Sequence, residues 1–253
     1  MDVENWQAAQ FQGGSDANWR TVYRLSYSQF GEDITAANLL RNVDVGFYVD
    51  IGAHHPLRHS NTALFHIQGW QGINVEPMRR GIRLFERHRP QAINLHAAIH
   101  NEAESVTLYK FRKGLVNTII EGRAEELSAS KESEGQEVVN ALSLNDLFER
   151  HVPHGVRVNY LTVDVEGYDS EAIVAFDLDK YHPDVVCVEI HRPDMMALGE
   201  NSVVKHMFAH GYQLYAINVF SFTFASVRAA KEHLRVPRVG RLHEVTMRGA
   251  RGS

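Results

Sequence analysis

The sequence contains a single cysteine, Cys187, among its 253 residues, and it therefore cannot form an intrachain disulfide. It also lacks any run of about 20 apolar residues, the length that crosses a bilayer as a helix. No apolar stretch of signal-peptide length follows the N-terminus. These absences predict a soluble, cytoplasmic protein in a reducing compartment, with Cys187 as a core residue of a strand-like run.

Charge is unevenly distributed along the chain. The net charge is −5, yet residues 228–253 contain seven Lys/Arg and two Glu, a net of +5, so that the remaining residues carry −10. This basic segment is either a solvated tail or an electrostatic arm for a phosphate-rich partner or an anionic membrane surface. The acidic body, which has no stripe of basic and aromatic residues, argues against a nucleic-acid partner.

An apolar content of 44% is ample for a core, and apolar runs of strand length alternate with helix-length stretches. This order predicts an α/β domain over residues 43–227, preceded by a cap segment (1–42) and followed by the basic tail (228–253). The sheet is expected to be mostly parallel, with helices on both faces and an antiparallel hairpin at its edge. The predicted strands are 46–51, 72–75, 92–98, 106–111, 137–141, 160–165, 184–190, 212–218 and 220–224. The predicted helices are 33–41, 61–68, 79–88, 143–150, 169–176 and 202–210, and residues 112–135 are expected to form a flexible surface loop.

Acidic residues follow the four central strands of this predicted sheet. They are Asp50, Glu76, Asp164 with Glu166, and Glu189, which His191 follows. Because ligands of parallel sheets bind beyond the carboxyl ends of the strands, these acids are expected to share one site. A carboxylate at the end of the second strand, here Glu76, can accept hydrogen bonds from both hydroxyls of a ribose.

The turn after the first strand has only one of the three glycines of a dinucleotide-binding loop. Gly52 is followed by Ala53, His54, His55 and Pro56, which occupy the space that a pyrophosphate would need. This turn argues against NAD or FAD and is compatible with a nucleoside cofactor that has no phosphate.

Five segments with this order and spacing make the chain similar to the FkbM-type family of S-adenosylmethionine-dependent methyltransferases. They are residues 28–33 (SQFGED), 48–54 (YVDIGAH), 72–77 (GINVEP), 96–99 (HAAI) and 162–167 (TVDVEG). The resemblance covers about residues 26–224. It departs at the first turn, where many relatives resemble D-x-G-A-N-x-G and this chain has His54-His55-Pro56.

The resemblance implies the class I methyltransferase fold, a Rossmann-like sheet of seven strands. It also implies methyl transfer from S-adenosylmethionine to a hydroxyl of a sugar, glycan or natural product, as in polysaccharide biosynthesis. The residues that it assigns to the cofactor pocket are Gln29, Asp33, Asp50, Gly52, Ala53, Asn61, Glu76, Pro77, Ala98, Ile99, Asp164 and Glu166. The departure at the first turn makes the acceptor side less transferable than the cofactor side.

An alcohol acceptor must lose a proton, and the candidate general bases are His54, His55 and His191, with His55 preferred for its position just past the first turn. Asp164, Glu189 and His191 at adjacent strand ends are candidate ligands for Mg²⁺ or Mn²⁺, which would orient and acidify a sugar diol.

Two other functions are compatible with parts of the sequence. A nicotinamide-dependent sugar oxidoreductase fits Glu76 but not the glycine-poor turn. A non-catalytic partner in a glycan pathway would keep the fold without its chemistry. A base-amine methyltransferase is disfavoured, because Asp164-Val165-Glu166-Gly167 stands where an N-P-P-Y-type tetrapeptide would be. The acceptor and the oligomeric state are not specified by the sequence.

Overall fold

A sheet of seven strands forms the centre of the computed structural model, which describes residues 25–112, 116–191 and 193–233. Its strands are β1 (Phe47–Ile51), β2 (Gln71–Val75), β3 (Ile93–Leu95), β7 (Tyr160–Val163), β8 (Val185–Glu189), β9 (Tyr212–Asn218) and β10 (Ser221–Ser226). They lie in the order β3-β2-β1-β7-β8-β10-β9, and only β10 runs antiparallel to the others. The predicted mostly parallel sheet and its antiparallel pair of final strands are confirmed, with β9 at the edge.

Helices cover both faces of the sheet. They are α1 (Glu32–Leu39), α2 (Ala63–Ile67), α3 (Arg79–His88), α4 (Glu121–Ser128), α5 (Leu144–His151), α6 (Asp169–Val174), α7 (Leu178–Tyr181), α8 (Ser202–Ala209) and α9 (Val227–His233), with a 3-10 turn at Met195–Glu200. Within the described part of the chain, no helix is long and apolar enough to span a bilayer.

The alternation of side chains along β1 divides the core between the two faces. Tyr48 packs with the apolar residues of α1, and Cys187 lies in the same cluster. Val49 packs instead with Leu147 of α5 and Val203 of α8. Because successive side chains of a strand point to opposite faces, a strand with apolar residues on both faces must be covered on both sides. All five residues of β1 are buried, as this arrangement requires.

A second sheet of three strands lies beside the first and corrects two predictions. It contains β4 (Ala98–Ile99), β5 (Ser105–Phe111) and β6 (Ser133–Leu142) in the order β4-β6-β5. The predicted strand 92–98 is two strands, because the chain leaves the large sheet after Leu95 and Ala98 pairs with Ala141. The predicted loop 112–135 contains α4 and the start of β6, which pairs with β5 over its polar first half.

The cap and tail assignments fall largely outside the described residues. Residues 1–24 and 234–253 are not described, whereas the first residues of the predicted tail form α9. The structure also adds α7 and the 3-10 turn, which are too short for a periodic pattern to show in the sequence.

Candidate active site

A cleft opens at the carboxyl edge of the large sheet, where β1, β2 and β7 end. Its empty volume is about 950 Å³ including the open mouth. It brings together eleven of the twelve predicted cofactor residues, namely Gln29, Asp50, Gly52, Ala53, Asn61, Glu76, Pro77, Ala98, Ile99, Asp164 and Glu166. The convergence expected from the strand-end acids is therefore present for three of the four strands.

Gly52 holds the three strand ends together at the floor of the cleft. Its φ is +77°, and a Cβ built on it would lie 1.7 Å from the backbone oxygen of Asp164. The amides of Gly52 and Ala53 both donate to the backbone oxygen of Val75 at 3.0 Å. Only glycine allows this combination of positive φ and close backbone approach.

Glu76 presents a buried carboxyl group at the end of β2. Its Oε2 accepts from the amide of His54 at 2.8 Å, and its Oε1 accepts from the amide of Met78 at 2.7 Å. Gly81 of α3 makes room for it, since a Cβ there would lie 2.7 Å from Glu76 Cγ. Burial raises the pKa of Glu76 to about 7, despite these two hydrogen bonds. Each oxygen keeps a lone pair that can accept a ligand hydroxyl.

Asp50 lies deeper, at the end of β1, and is connected to a buried arginine that sequence reasoning missed. Its Oδ2 accepts a short hydrogen bond from the hydroxyl of Thr62, which accepts in turn from Arg89 Nη1 at 2.8 Å. Burial raises the pKa of Asp50 to about 6, and Thr62 and Arg89 oppose that rise. The only sequence signal for Arg89 is its position before Pro90 at the end of α3.

A cluster of acids and one histidine borders the cleft on the side of β8. Ligand atoms of Glu166, Glu189 and His191 lie within 4.8 Å of one another, as do those of Asp164, Asp169 and Glu189. The predicted ligand set of Asp164, Glu189 and His191 is thus divided between two groups that share Glu189. Both groups offer the carboxylate oxygens that Mg²⁺ and Mn²⁺ accept, and the first adds an imidazole, which is compatible with Mn²⁺.

The residues of this cluster shift one another's pKa values. Burial and the neighbouring Glu189 raise the pKa of Asp164 well above its usual value, and burial with Glu189 raises that of Glu166 to about 7. Hydrogen bonding to Glu189, 3.3 Å away, raises the pKa of His191. At Glu189 itself, burial is outweighed by hydrogen bonds with His191 and Asp164, so that its pKa is lowered.

Asp33 and His55 do not line the cleft, and the roles predicted for them there stay predictions. The Asp33 carboxylate accepts from Ser26 Oγ at 2.7 Å, from the Tyr27 amide at 2.7 Å and from Ser28 Oγ at 2.8 Å, so that it organises the loop carrying Gln29. His55 Nδ1 accepts from the amides of Leu57 and Arg58 at 3.0 Å, which makes it a cap of its own turn.

His54 lines the cleft and takes the place predicted for His55. It has a φ of +52°, and burial followed by the nearby charges of His59, Arg58 and Arg80 lowers its pKa. The lowered pKa favours the neutral imidazole. His191 lies beside Glu189 next to the cleft rather than in it.

The cleft lining also contains residues that were not predicted for the site, among them His59, Asn117 and Ile119. The last two belong to the segment predicted as a flexible loop. Thr118 anchors that segment, because its hydroxyl donates to the backbone oxygen of Glu166 at 3.0 Å. This part of the lining could not be inferred from a stretch of weak periodicity.

The fold and the geometry of the cleft together indicate a class of protein. A parallel sheet presents a buried acid after β2 and a glycine turn without a phosphate cradle, as expected of an α/β enzyme for a nucleoside cofactor. The family model of the methyltransferase FkbM domain matches residues 50–214, more than half of the chain. The protein therefore belongs to the FkbM methyltransferase family. No curated protein and no solved structure matches the chain significantly.

Proposed function

We propose that this protein is an S-adenosylmethionine-dependent O-methyltransferase of the class I fold that acts on a hydroxyl of a sugar, glycan or related natural product. The observation that carries the proposal is Glu76, whose two oxygens are fixed by backbone amides at 2.7 and 2.8 Å at the end of β2. The seven-strand order with one reversed strand supports the class I fold. Family membership supports methyl transfer.

The residues of the cleft fit the parts of such a cofactor. Glu76 offers acceptors for the ribose hydroxyls, and the buried pair Ala98 and Ile99 offers an apolar wall for the adenine. Asp50 offers a negative charge for the cationic methionine end. The turn from Gly52 through Pro56 offers no amide cradle for a pyrophosphate, in keeping with a cofactor that has none.

When bound, the cofactor supplies a methyl group on a sulfonium, which is an activated leaving group. The protein's main contribution is then alignment of the acceptor oxygen, which can lower a barrier by about 7–11 kcal/mol. His54 is the proposed general base, because it lines the cleft and its lowered pKa keeps the imidazole neutral. Proton removal by such a base contributes roughly 10²–10⁴-fold.

A divalent cation on the cluster beside β8 is a separate part of the proposal. The sharing of Glu189 between two potential ligand groups supports it, with Asp164, Glu166 or His191 completing the set. A cation there would orient the acceptor hydroxyls. Full activity after exhaustive chelation would contradict this part and leave the remainder intact.

The two alternative functions would give different results in a cofactor-binding experiment. A nicotinamide-dependent sugar oxidoreductase would bind NAD⁺ at Glu76, and a non-catalytic partner would bind no cofactor. The sugar or glycan acceptor, the cytoplasmic location, the absence of a nucleic-acid partner and the membrane contact of the basic tail stay predictions.

The test is calorimetric titration with S-adenosylmethionine, S-adenosylhomocysteine and NAD⁺. We expect micromolar binding of the two methyl cofactors, lost in Glu76→Ala because the ribose loses both acceptors. Glu86→Ala, an exposed position of α3, is the matched control and should bind as the wild type does. Binding of NAD⁺ alone would replace the proposal with the oxidoreductase, and no binding of any of the three would favour the non-catalytic partner.

A further inference from the structure

Arg89 is a fully buried cation at the end of α3, with 1% of its surface exposed. Its Nη1 donates to the Tyr48 hydroxyl at 3.2 Å, to Thr62 Oγ1 at 2.8 Å and to Asn74 Oδ1 at 3.0 Å. Its Nη2 donates to the backbone oxygen of Pro56 at 2.5 Å and to Ser60 Oγ at 3.1 Å. The guanidinium therefore connects β1 and β2 to the segment between Pro56 and Thr62 that borders the cleft.

Every one of these partners is electrically neutral. Among the described residues, Arg89 forms no ion pair, and its Nε has no hydrogen-bond partner. Removing a cation from water without a counter-charge is costly, so a buried arginine needs a negative group that acts on it through the network. Asp50, one hydroxyl away, is that group, and the charge of Arg89 opposes the rise in its pKa.

The direction of the hydrogen bonds follows from the chemistry of the guanidinium. Arginine can donate but cannot accept, so Thr62 Oγ1 must accept from Nη1. The one proton of the Thr62 hydroxyl is then free to point at Asp50 Oδ2, which must accept it. Arg89 thus orients the hydroxyl and favours the ionised form of a carboxyl group that it does not touch.

Asp50 has one oxygen left for a ligand. Its Oδ1 accepts no hydrogen bond from any residue that the structure describes, and Asp50 lines the cleft. The titratable groups that act on Asp50 or feel its charge are Arg89 from the end of α3, Glu76 from β2, Tyr48 from β1 and Tyr160 from β7. Arg89 is the only cation of this set.

We propose that Arg89 is a positioning residue of the cofactor site: acting through the Thr62 hydroxyl, it keeps Asp50 negative and leaves one of its oxygens for the cationic amino-acid end of the cofactor. The inference rests on the proposed function for the identity of that cation, whereas the state of Asp50 can be measured without it. Neither the sequence motif nor the family match assigns a role to Arg89.

The first experiment follows the Asp50 carboxyl carbon by ¹³C NMR during a pH titration of the cofactor-free protein, with Asp50→Asn for assignment. Loss of the cation should raise the Asp50 midpoint in Arg89→Met by about one pH unit or more. Thr62→Val, which removes only the bridging hydroxyl, should raise it as well, and Thr62→Ser should restore it. Arg87→Met, an exposed position of the same helix, is the matched control.

The second experiment repeats the S-adenosylmethionine calorimetry between pH 5.5 and 8. Affinity should decline at a higher pH in Arg89→Met and Thr62→Val than in the wild type or Thr62→Ser. An unchanged Asp50 midpoint in folded Thr62→Val and Arg89→Met would overturn the inference, and Thr62→Val keeps it testable where Arg89→Met does not fold. A wild type that binds no cofactor would instead overturn the proposed function, which the NMR titration does not depend on.

Discussion

Gly52 lies just after β1, where its backbone approaches that of Asp164 after β7 too closely for a Cβ atom. The 1.7 Å between a built Cβ and the Asp164 oxygen leaves no rotamer or side-chain movement that could relieve the contact, because both partners are backbone. His54, two residues later, also has a positive φ, and its amide binds Glu76. Through this backbone hydrogen bond, the turn connects Glu76, proposed to bind the cofactor, to His54, the proposed base.

Gly52→Ala should separate the strand ends and lower the free energy of unfolding by about 3 kcal/mol or more, since overlap and a positive φ add. Cofactor affinity should fall at the same time. Gly69→Ala is the matched control: its φ is +91°, but nothing lies within 4 Å of the built Cβ, so that only about 1–2 kcal/mol should be lost. Urea unfolding and calorimetry check both variants, and equal losses would contradict the steric explanation.

His54→Asn tests the proposed base while keeping a residue that tolerates a positive φ. Turnover of a sugar acceptor should fall about 10²–10⁴-fold, and the cofactor Kd should change little, because the backbone bond to Glu76 remains. His55→Asn, at the position first favoured by the sequence, should lower the free energy of unfolding but should reduce turnover far less than His54→Asn does. If steady-state kinetics showed the larger loss of turnover in His55→Asn, the general base would be His55.

The loop before α1 shows how one buried side chain fixes an element at the site. Asp33 is fully buried, and its carboxylate gathers Ser26, Tyr27 and Ser28, so that Gln29 reaches the cleft. α1 is also tied to the β9–β10 hairpin, because Thr35 donates to Asn218 Oδ1 at 3.2 Å and Ser221 donates to Glu32 at 3.0 Å.

Asp33→Ala should release this loop without unfolding the sheet. We expect faster amide hydrogen exchange across residues 26–31 and a cofactor affinity reduced severalfold, since three hydrogen bonds that order Gln29 are lost. Asp44→Ala, at an exposed position before β1, provides the control. Unchanged exchange in the loop would show that Asp33 does not organise it.

For the whole molecule, the raised pKa values of Glu76 and Glu166, both about 7, link stability to pH. Between the ordinary pKa near 4.5 and pH 7 the folded protein binds more protons than the unfolded chain, so stability must fall as pH rises through this window. His191, whose pKa is raised, acts in the same direction. Near pH 6.5 the histidines with lowered pKa act in the opposite direction, because the unfolded chain still binds protons at its ordinary histidine pKa of 6.5.

Between pH 6.5 and 8 we expect the titration of Glu76 and Glu166 to remove on the order of 1–2 kcal/mol of unfolding free energy from the cofactor-free protein, which the histidines with lowered pKa partly offset. Denaturant titrations at fixed pH measure this loss. Glu166→Gln should reduce the loss of unfolding free energy with rising pH, because an amide in place of the carboxyl group does not titrate. An unchanged pH dependence of stability in Glu166→Gln would contradict the assignment of a proton to this acid.

The order of strands and helices, the acids after the strands and the single-glycine turn were all predictable from the sequence. Each rests on local chemistry: apolar periodicity reports burial, and parallel strands place their carboxyl ends at one edge. Hence Asp50, Gly52 and Glu76 could be assigned to one cleft. The short elements and the second sheet were not predictable. The first half of β6 is polar, and β6 belongs to a sheet only because it pairs with β4 and β5.

Only the tertiary structure decided which histidine faces the cleft, that Asp33 organises a loop, and that Arg89 acts on Asp50 through Thr62. His54 and His55 are neighbours of the same type, and the direction of each follows from the backbone dihedrals of one turn and from which ring nitrogen meets an amide. Arg89 and Asp50 are separated by 39 positions, and their connection depends on a hydroxyl from a third segment. Sequence patterns report what a residue type prefers, whereas hydrogen-bond direction and contact are properties of segments brought together by folding.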